Sequence, residues 1–162
     1  MACLDTLMAE HLRPLFSGFR TADDEDQAGD EITALVGFTG DGGLGGCIVI
    51  RGDKGAFMDS APFLGVDVLD WAAELANLAA GRVKYGLFSG RRWTIKQTTP
   101  VVMRGAIVEP RRIPEMRDFA LTGPNGTLRV WVELRGTEDA AEHMETPQEE
   151  GDAMGAGEML LF

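Results

Sequence analysis

The stretch from residue 69 to residue 87 reads LDWAAELANLAAGRVKYGL and is the strongest helical segment of this sequence. Alanine and leucine, which dominate it, have high helix propensity. Asp70 lies near its start, where the helix dipole stabilises a carboxylate. Gly81 lies inside it and costs about 1 kcal/mol relative to alanine, which we attribute to close packing or to a local bend. The stretch predicts one long helix.

Further helices and six strands are expected around this helix. Residues 4–19 have apolar side chains at helical spacing, and Pro14 is expected to kink or split the helix that they form. Residues 53–60 predict a short helix with Asp53 as its N-cap. Short runs rich in β-branched residues predict strands over 31–39, 46–51, 93–97, 101–107, 117–121 and 127–134.

The connections and the last strand indicate how the strands pair. The sequences GDGGLGG at 40–46 and GPNG at 123–126 are typical of hairpin loops, the second because of its Asn-Gly pair. Alternation predicts one buried and one exposed face, formed by Leu128, Val130, Val132 and Leu134 and by Arg129, Trp131, Glu133 and Arg135, respectively. We therefore expect an α+β fold, an antiparallel β-sheet with two long helices packed on one side.

The charge of the chain is concentrated in two segments. The chain has 162 residues, which is the size of about one domain. Its net charge of −11 argues against a general nucleic-acid binder. Residues 21–31 and 137–162 contain 14 of the 26 acidic residues and no lysine or arginine. We expect a folded domain over 1–136 and an acidic, disordered tail over 137–162. The apolar end of that tail, Met159–Phe162, is either a docking peptide or without a role.

Cysteine, histidine and hydropathy patterns exclude several classes of site. Cys3 and Cys47 are expected to be reduced thiols, and with His11 and His143 they fit no zinc spacing, so no metal site is predicted. The chain shows no signal peptide and no run of about 18 apolar residues. We therefore expect a cytoplasmic protein that does not enter a membrane.

Two short motifs have simple structural explanations, and a third motif is absent. The G-x-G-x-x-G match at 40–45 leads into a predicted strand rather than a helix, so it indicates a glycine hairpin and not a dinucleotide site. The Asn-Gly-Thr match at 125–127 is interpreted as a turn. No G-x-S-x-G elbow is present, which argues against a serine hydrolase.

Glu74 and Asn77 are the candidate functional residues. Their i, i+3 spacing puts both side chains on one face of the long helix, while Leu75, Leu78 and Ala79 are expected to face the sheet. A carboxylate can pair with a cation, and a carboxamide can both donate to and accept from a water molecule. An ordinary solvated helix face is the alternative interpretation of this pair.

The run Asp70-x-x-x-Glu74-x-x-Asn77-x-x-x-Gly81, followed after about twenty residues by TPVVMRG at 99–105, resembles the CheX/CheC/FliY family of chemotaxis phosphatases. The resemblance extends over roughly residues 4–135. A single E-x-x-N motif is present, as in the CheX branch. The resemblance implies dephosphorylation of the aspartyl-phosphate of a CheY-like response-regulator receiver domain in chemotaxis or two-component signalling.

Roles for individual residues follow from the same resemblance. Asn77 would orient a water in line with the phosphorus, and Glu74 would pair with the regulator's active-site lysine. The chain would need no cofactor of its own, because Mg²⁺ is expected on the partner receiver domain. Asp70 would support Glu74 or, as we prefer, cap the helix. Arg82 and Lys84, with Arg91, Arg92 and Lys96, would form a basic cluster that approaches the acidic regulator or is simply solvated.

Two other functions are open at this point. A module of the same fold would bind a regulator or other signalling protein without catalysis, as an adaptor. An unrelated small-molecule-binding or structural domain would bury Glu74 or Asn77, or enclose a large apolar pocket. The resemblance to the CheX branch also implies a homodimer formed through the sheet, for which an exposed edge strand would be available.

Overall fold

The structure is a computed structural model that describes residues 2–22, 31–88, 94–105 and 114–136. The predicted tail over 137–162, most of the acidic segment over 21–31, and Arg91 and Arg92 lie outside the described residues. The predicted division into a domain over 1–136 and a tail therefore stays a prediction.

The described residues contain one antiparallel sheet of seven strands in the order β1-β6-β7-β3-β2-β4, and β5 also pairs with β2. The strands are β1 Arg20–Thr21, β2 Ile32–Gly40, β3 Gly45–Gly52, β4 Ile95–Gln97, β5 Val101–Arg104, β6 Met116–Gly123 and β7 Gly126–Arg135. All six predicted strands are present, with bounds shifted by a few residues where the structure describes them; residue 93 and residues 106–107 of the predicted strands lie outside the described residues. The two-residue strand β1 has no periodicity of its own and was not predicted.

Both predicted hairpins are confirmed, with a correction to the second. A short 3₁₀ turn, Asp41–Gly43, joins β2 to β3. In the second hairpin Gly123 pairs with Gly126, so Pro124 and Asn125 form the loop and Asn-Gly is not its central pair. Gly126 has a φ of 144°, which only glycine adopts without strain.

The helices follow the predicted order. The leading segment consists of α1 Ala2–Leu7, a π-helical turn Met8–Leu12 and a 3₁₀ turn Arg13–Phe16. The segment changes type at Met8 and again at Arg13, and Pro14 lies in the first turn of the 3₁₀ part, which agrees with the predicted break because proline has no N–H to donate. The other helices are α2 Lys54–Asp59 and α3 Val68–Phe88.

Asp53 precedes α2 as predicted, but its carboxylate does not cap the helix. Asp53 Oδ2 accepts a hydrogen bond from the Thr127 backbone N–H at 3.0 Å. Glu31 Oε2 instead accepts from the Lys54 backbone N–H at 2.5 Å. Asp53 thus occupies the predicted N-cap position with extended backbone, but it makes no side-chain capping bond, because the hairpin lies beside this helix end and provides a competing donor.

One face of the sheet forms a common core with the leading helical segment, α2 and α3. The predicted inward residues of β7, from Leu128 to Leu134, are all fully or almost fully buried in it. The buried stripe of α3 consists of Val68, Trp71, Ala72, Leu75, Ala76, Ala79, Ala80 and Val83. Its four alanines leave little side-chain bulk between the helix axis and β2 and β3, the two strands that it contacts most. The predicted α+β fold with an antiparallel sheet is thus confirmed, but the described residues contain one long helix, α3, rather than two, because the leading segment changes helix type along its length.

Two packing expectations for α3 were wrong. Leu78 does not face the sheet, since 39% of it is exposed. It lies one turn after the exposed Glu74, beside the buried stripe rather than in it. Gly81 is not required by close packing, because a Cβ built there meets no atom within 4 Å, while the alternative of a local bend stays a prediction.

The other face of the sheet is less exposed than the alternation in β7 predicted. Trp131 and Glu133 are both buried. The guanidinium carbons of Arg51 and Arg129 lie 5.6 and 5.8 Å from the centre of the Trp131 ring, so two cations lie within cation–π distance of the indole. Alternation correctly identifies which residues share a face, but it does not determine whether that face is solvated.

Cys47 lies on this second face, where its Sγ is 3.7 Å from Glu133 Oε2. Burial, the negative charge of Glu133 and the hydrogen bond to it raise the pKa of the Cys47 thiol from 9.0 to about 11. The thiolate is the form that reacts with alkylating reagents.

We therefore expect Cys47 in the folded protein to react with iodoacetamide at pH 8 about 100-fold more slowly than in the urea-unfolded protein. Peptide-resolved mass spectrometry measures this rate separately from that of Cys3. The Glu133→Gln variant, which removes the negative charge, should react faster than the wild type. Equal rates for folded and unfolded protein would contradict the expectation. Because the folded pKa is the higher one, this group reduces the free energy of unfolding as the pH rises above 9.

Among the described residues, none of the helices is long and apolar enough to cross a membrane.

Candidate functional site

The first turn of α3 is capped by Asp67. Asp67 Oδ1 accepts hydrogen bonds from the backbone N–H groups of Leu69 at 2.8 Å and Asp70 at 3.2 Å. The bond from Asp70, followed by that from Leu69, lowers the pKa of Asp67 below its usual value. The preferred capping role for Asp70 was therefore wrong, because Asp70 is the third residue of the helix and Asp67 precedes its first. Its carboxylate is one turn before that of Glu74.

Helix geometry directs the candidate pair away from the core. The buried stripe of α3 takes one side of the helix, and at 100° per residue positions 74 and 77 fall outside it. Glu74 is exposed and Asn77 is partly exposed. Both line the same open depression of about 700 Å³, together with Leu78, Gly81, Arg82, Tyr85 and Gln97. We call these seven residues the α3 depression.

The structure brings together only part of the predicted basic cluster. Arg82 lines the α3 depression. Lys84 does not line it, and its Nζ donates to the backbone carbonyl of Ile95 at 3.4 Å, which links α3 to β4. Lys96 is exposed on β4. Among the predicted cations, Arg82 is thus the one that the described structure places beside Glu74 and Asn77.

Three residues of the α3 depression were missed by the sequence analysis. Leu78 was assigned to the core. Tyr85, 64% exposed, lies two turns after Asn77, so helical periodicity alone would have identified it. Gln97 lies on β4 and reaches the depression only because β4 pairs with β2 beneath the helix.

The second part of the recognised motif, TPVVMRG, forms the edge of the sheet next to this site. Two hydrogen bonds of 2.9 Å join Thr98 to Gly37. The Thr98 backbone N–H donates to the Gly37 carbonyl oxygen, and the Gly37 backbone N–H donates to Thr98 Oγ1. The chain therefore remains attached to β2 between β4 and β5. Pro100 lies between these strands and interrupts the ladder because it has no N–H. Val101, at the start of β5, is 51% exposed.

The chemistry that this surface offers is positioning and charge. A carboxylate and a carboxamide lie within one turn of each other, with an arginine five residues further along and apolar groups at the sides. A carboxamide holds a water molecule by donating to or accepting from it, and a carboxylate pairs with a cation. In the part of the chain that the structure describes, no group of three histidine, cysteine or acidic side chains is placed to hold a metal ion.

The fold is shared with solved chemotaxis proteins. A CheC-like protein from Shewanella oneidensis has a TM-score of 0.56 at 19% identity, with 82% of this chain and 94% of that chain covered. CheX from Vibrio vulnificus has a TM-score of 0.56 at 19% identity, with 82% and 93% covered. The CheX–CheY–BeF₃–Mg²⁺ complex from Borrelia burgdorferi has a TM-score of 0.56 at 16% identity, with 83% and 96% covered.

No protein-family model matches the sequence, and no curated protein matches it. The structural similarity covers most of this chain and nearly all of the proteins compared with it. It agrees with the resemblance found in the E-x-x-N helix and in TPVVMRG. The chain therefore has the fold of the CheX and CheC-like chemotaxis proteins.

Proposed function

We propose that this protein hydrolyses the aspartyl-phosphate of a CheY-like response-regulator receiver domain. The observation on which this depends most is that Glu74 and Asn77 line one open depression, where another protein can contact both. The fold supports the proposal, since a CheX of the same fold has been crystallised with CheY, BeF₃ and Mg²⁺. The chain would act in chemotaxis or in another two-component pathway, in the cytoplasm.

In the proposed reaction a water molecule attacks the phosphorus atom of the aspartyl-phosphate. A bond forms between the water oxygen and phosphorus, the bond between phosphorus and the aspartate oxygen breaks, and aspartate and inorganic phosphate are released. Asn77 holds the water in line with the breaking bond through its carboxamide. Phosphoryl transfer depends mainly on positioning and charge stabilisation, so the chain needs no nucleophile of its own.

Glu74 supplies the docking charge. It is exposed, and Asp70 places a second carboxylate one turn before it. Two like charges at this spacing slightly destabilise an isolated helix, and a cation between them removes that cost. The lysine of the receiver's active site is the cation that we propose for this position. Mg²⁺ is proposed to lie on the receiver, and this chain to supply no cofactor. A homodimer formed through the sheet remains part of the proposal.

A test compares the lifetime of the phosphate on purified CheY-type receiver domains from the same genome, phosphorylated with acetyl phosphate and Mg²⁺. The wild-type protein should shorten the lifetime for at least one receiver. Glu74→Lys places a cation against the receiver's lysine and should weaken binding about 100-fold, which raises KM. Glu10→Lys is the matched control, because Glu10 is also an exposed helical carboxylate but does not line the α3 depression.

A second candidate function is binding without catalysis. The exposed Leu78 and Tyr85 beside Asn77 favour it, since apolar groups stabilise a complex whether or not hydrolysis follows. Under this alternative, the wild-type protein would bind the receiver and leave the phosphate lifetime unchanged. Deleting residues 137–162 would abolish binding if the tail makes the contact, whereas catalysis at α3 should survive the deletion. A wild type that affects neither lifetime nor binding for any receiver would contradict both functions.

A further inference from the structure

Helices α2 and α3 contain three glycines, Gly55, Gly81 and Gly86, and packing explains two of them. A Cβ on Gly55 would lie 2.2 Å from the backbone oxygen of Asn125. A Cβ on Gly86 would lie 2.3 Å from Cδ2 of His11. At both positions a neighbouring segment of the chain occupies the space that a side chain would need, so packing requires glycine.

Gly81 is different from these two glycines. It lies in the interior of α3, where glycine costs about 1 kcal/mol relative to alanine. A Cβ built on it meets no atom within 4 Å, and its φ is not in the left-handed region. Neither packing within the described structure nor a left-handed φ therefore requires glycine at this position.

The open space at Gly81 belongs to the α3 depression. Asn77 lies one turn before Gly81 and Tyr85 one turn after it, so the three share one face of the helix. A Cβ at position 81 would therefore project into the depression beside the carboxamide of Asn77. The depression is wide open to solvent, which suits the surface of a protein better than an enclosed small molecule.

We infer that Gly81 is a positioning residue, where the main chain of the receiver partner lies against the bare α-carbon of the helix. This inference rests on the proposed function. The carboxamide of asparagine is only two carbon–carbon bonds from its α-carbon, so a water held by Asn77 stays close to the helix backbone. The receiver's phosphoryl group reaches that water only if the two main chains come close together. Small residues permit such close approach between backbones.

The exposed apolar groups agree with a polypeptide as the occupant. Leu78 and Tyr85 are 39% and 64% exposed at the sides of Gly81. Their contact with a protein surface would remove apolar area from water on both sides of the close approach. Glu74, two turns before Gly81, would then meet the cation of the same partner.

The test uses Gly81→Ala and Gly81→Leu in the full chain, with the phosphorylated receiver on which the wild type is most active. Gly81→Ala should raise the melting temperature by about 2–4 °C, because alanine favours the helix. It should nevertheless raise KM about 10-fold, and Gly81→Leu should raise KM more than 100-fold, because the added side chain separates the two main chains. If the role of Gly81 were purely structural, a variant that is more stable would not also have a higher KM.

Gly18→Ala and Gly18→Leu are the matched controls, since a Cβ at Gly18 also meets no atom within 4 Å but lies outside α3. They should leave KM unchanged. Unchanged KM for both Gly81 variants, while Asn77→Ala slows hydrolysis at least about 100-fold, would overturn this inference and leave the proposed function standing. A wild type that removes phosphate from no receiver would overturn both.

Discussion

Replacing Asn77 with alanine should slow receiver dephosphorylation at least about 100-fold, because misplacing an attacking group by about 1 Å can itself cost that factor. Alanine cannot hold the water, but it leaves Glu74 and the apolar contacts intact. We therefore expect kcat to fall while KM changes by less than about threefold. Decay of the labelled phosphate on the receiver, followed at several protein concentrations, separates the two constants.

The same substitution should not harm the fold. Asn77 is partly exposed, and alanine has the higher helix propensity, so the melting temperature should stay constant or rise slightly. A gain in stability with a loss of rate would identify a residue that is retained for chemistry. If Asn77→Ala removed the phosphate as fast as an active wild type does, Asn77 would not position the water. An unchanged kcat with a raised KM would assign Asn77 to binding instead.

Leu75→Ala should destabilise the protein by about 3 kcal/mol, since removing a buried leucine side chain typically costs 2–5 kcal/mol. Leu75 is 1% exposed and packs in the main core between α3 and the sheet. For a chain of this size, that loss lowers the melting temperature by roughly 10 °C. Thermal or urea unfolding followed by far-UV circular dichroism measures it.

Leu78→Ala is the matched control for this experiment, three residues further along the same helix. Leu78 is 39% exposed, so we expect a change in stability of less than about 0.5 kcal/mol. Under the proposed function the same variant should weaken receiver binding, because Leu78 lines the α3 depression. Equal destabilisation by the two substitutions would mean that both leucines are buried and would contradict the orientation of α3 described above.

Much of the fold follows from local patterns. The period of the apolar residues predicts α3 to within one residue at each end, because its stripe of alanine and leucine is long and continuous. Strand bounds are less well predicted, since β-strands are short and their ends depend on the partner strand. β1 illustrates this dependence, because its two residues form a strand only by pairing with Thr122 and Leu121 of β6.

The pair Glu74 and Asn77 could be predicted from the sequence for a similar reason. Glu74 and Asn77 are three residues apart on a helix, and the helical period alone directs them to the same side. Leu78 was wrongly assigned because its i+3 spacing from Leu75 also fits an apolar stripe. Which of two adjacent faces is buried depends on where the strands lie against the helix.

Interactions between segments distant in sequence were not predictable in this way. Asp53 has the sequence position of an N-cap, yet its carboxylate accepts from Thr127, 74 residues away. Alternation in β7 predicts that Trp131 is exposed, but Trp131 is buried and the guanidinium of Arg51, on the adjacent strand β3, lies 5.6 Å from the centre of its ring. Local propensity contains no information about such neighbours.

The helical period of residues 68–88 and the alternation in β7 suffice to specify an α+β chain that presents a carboxylate and a carboxamide together on one helix. The tertiary structure alone decides that Leu78, Tyr85 and Gln97 join them in one open depression, and that Gly81 faces empty space there. The physical reason is that helix periodicity acts over a few residues of one segment. The shape of a surface depends instead on how segments far apart in the chain pack against each other.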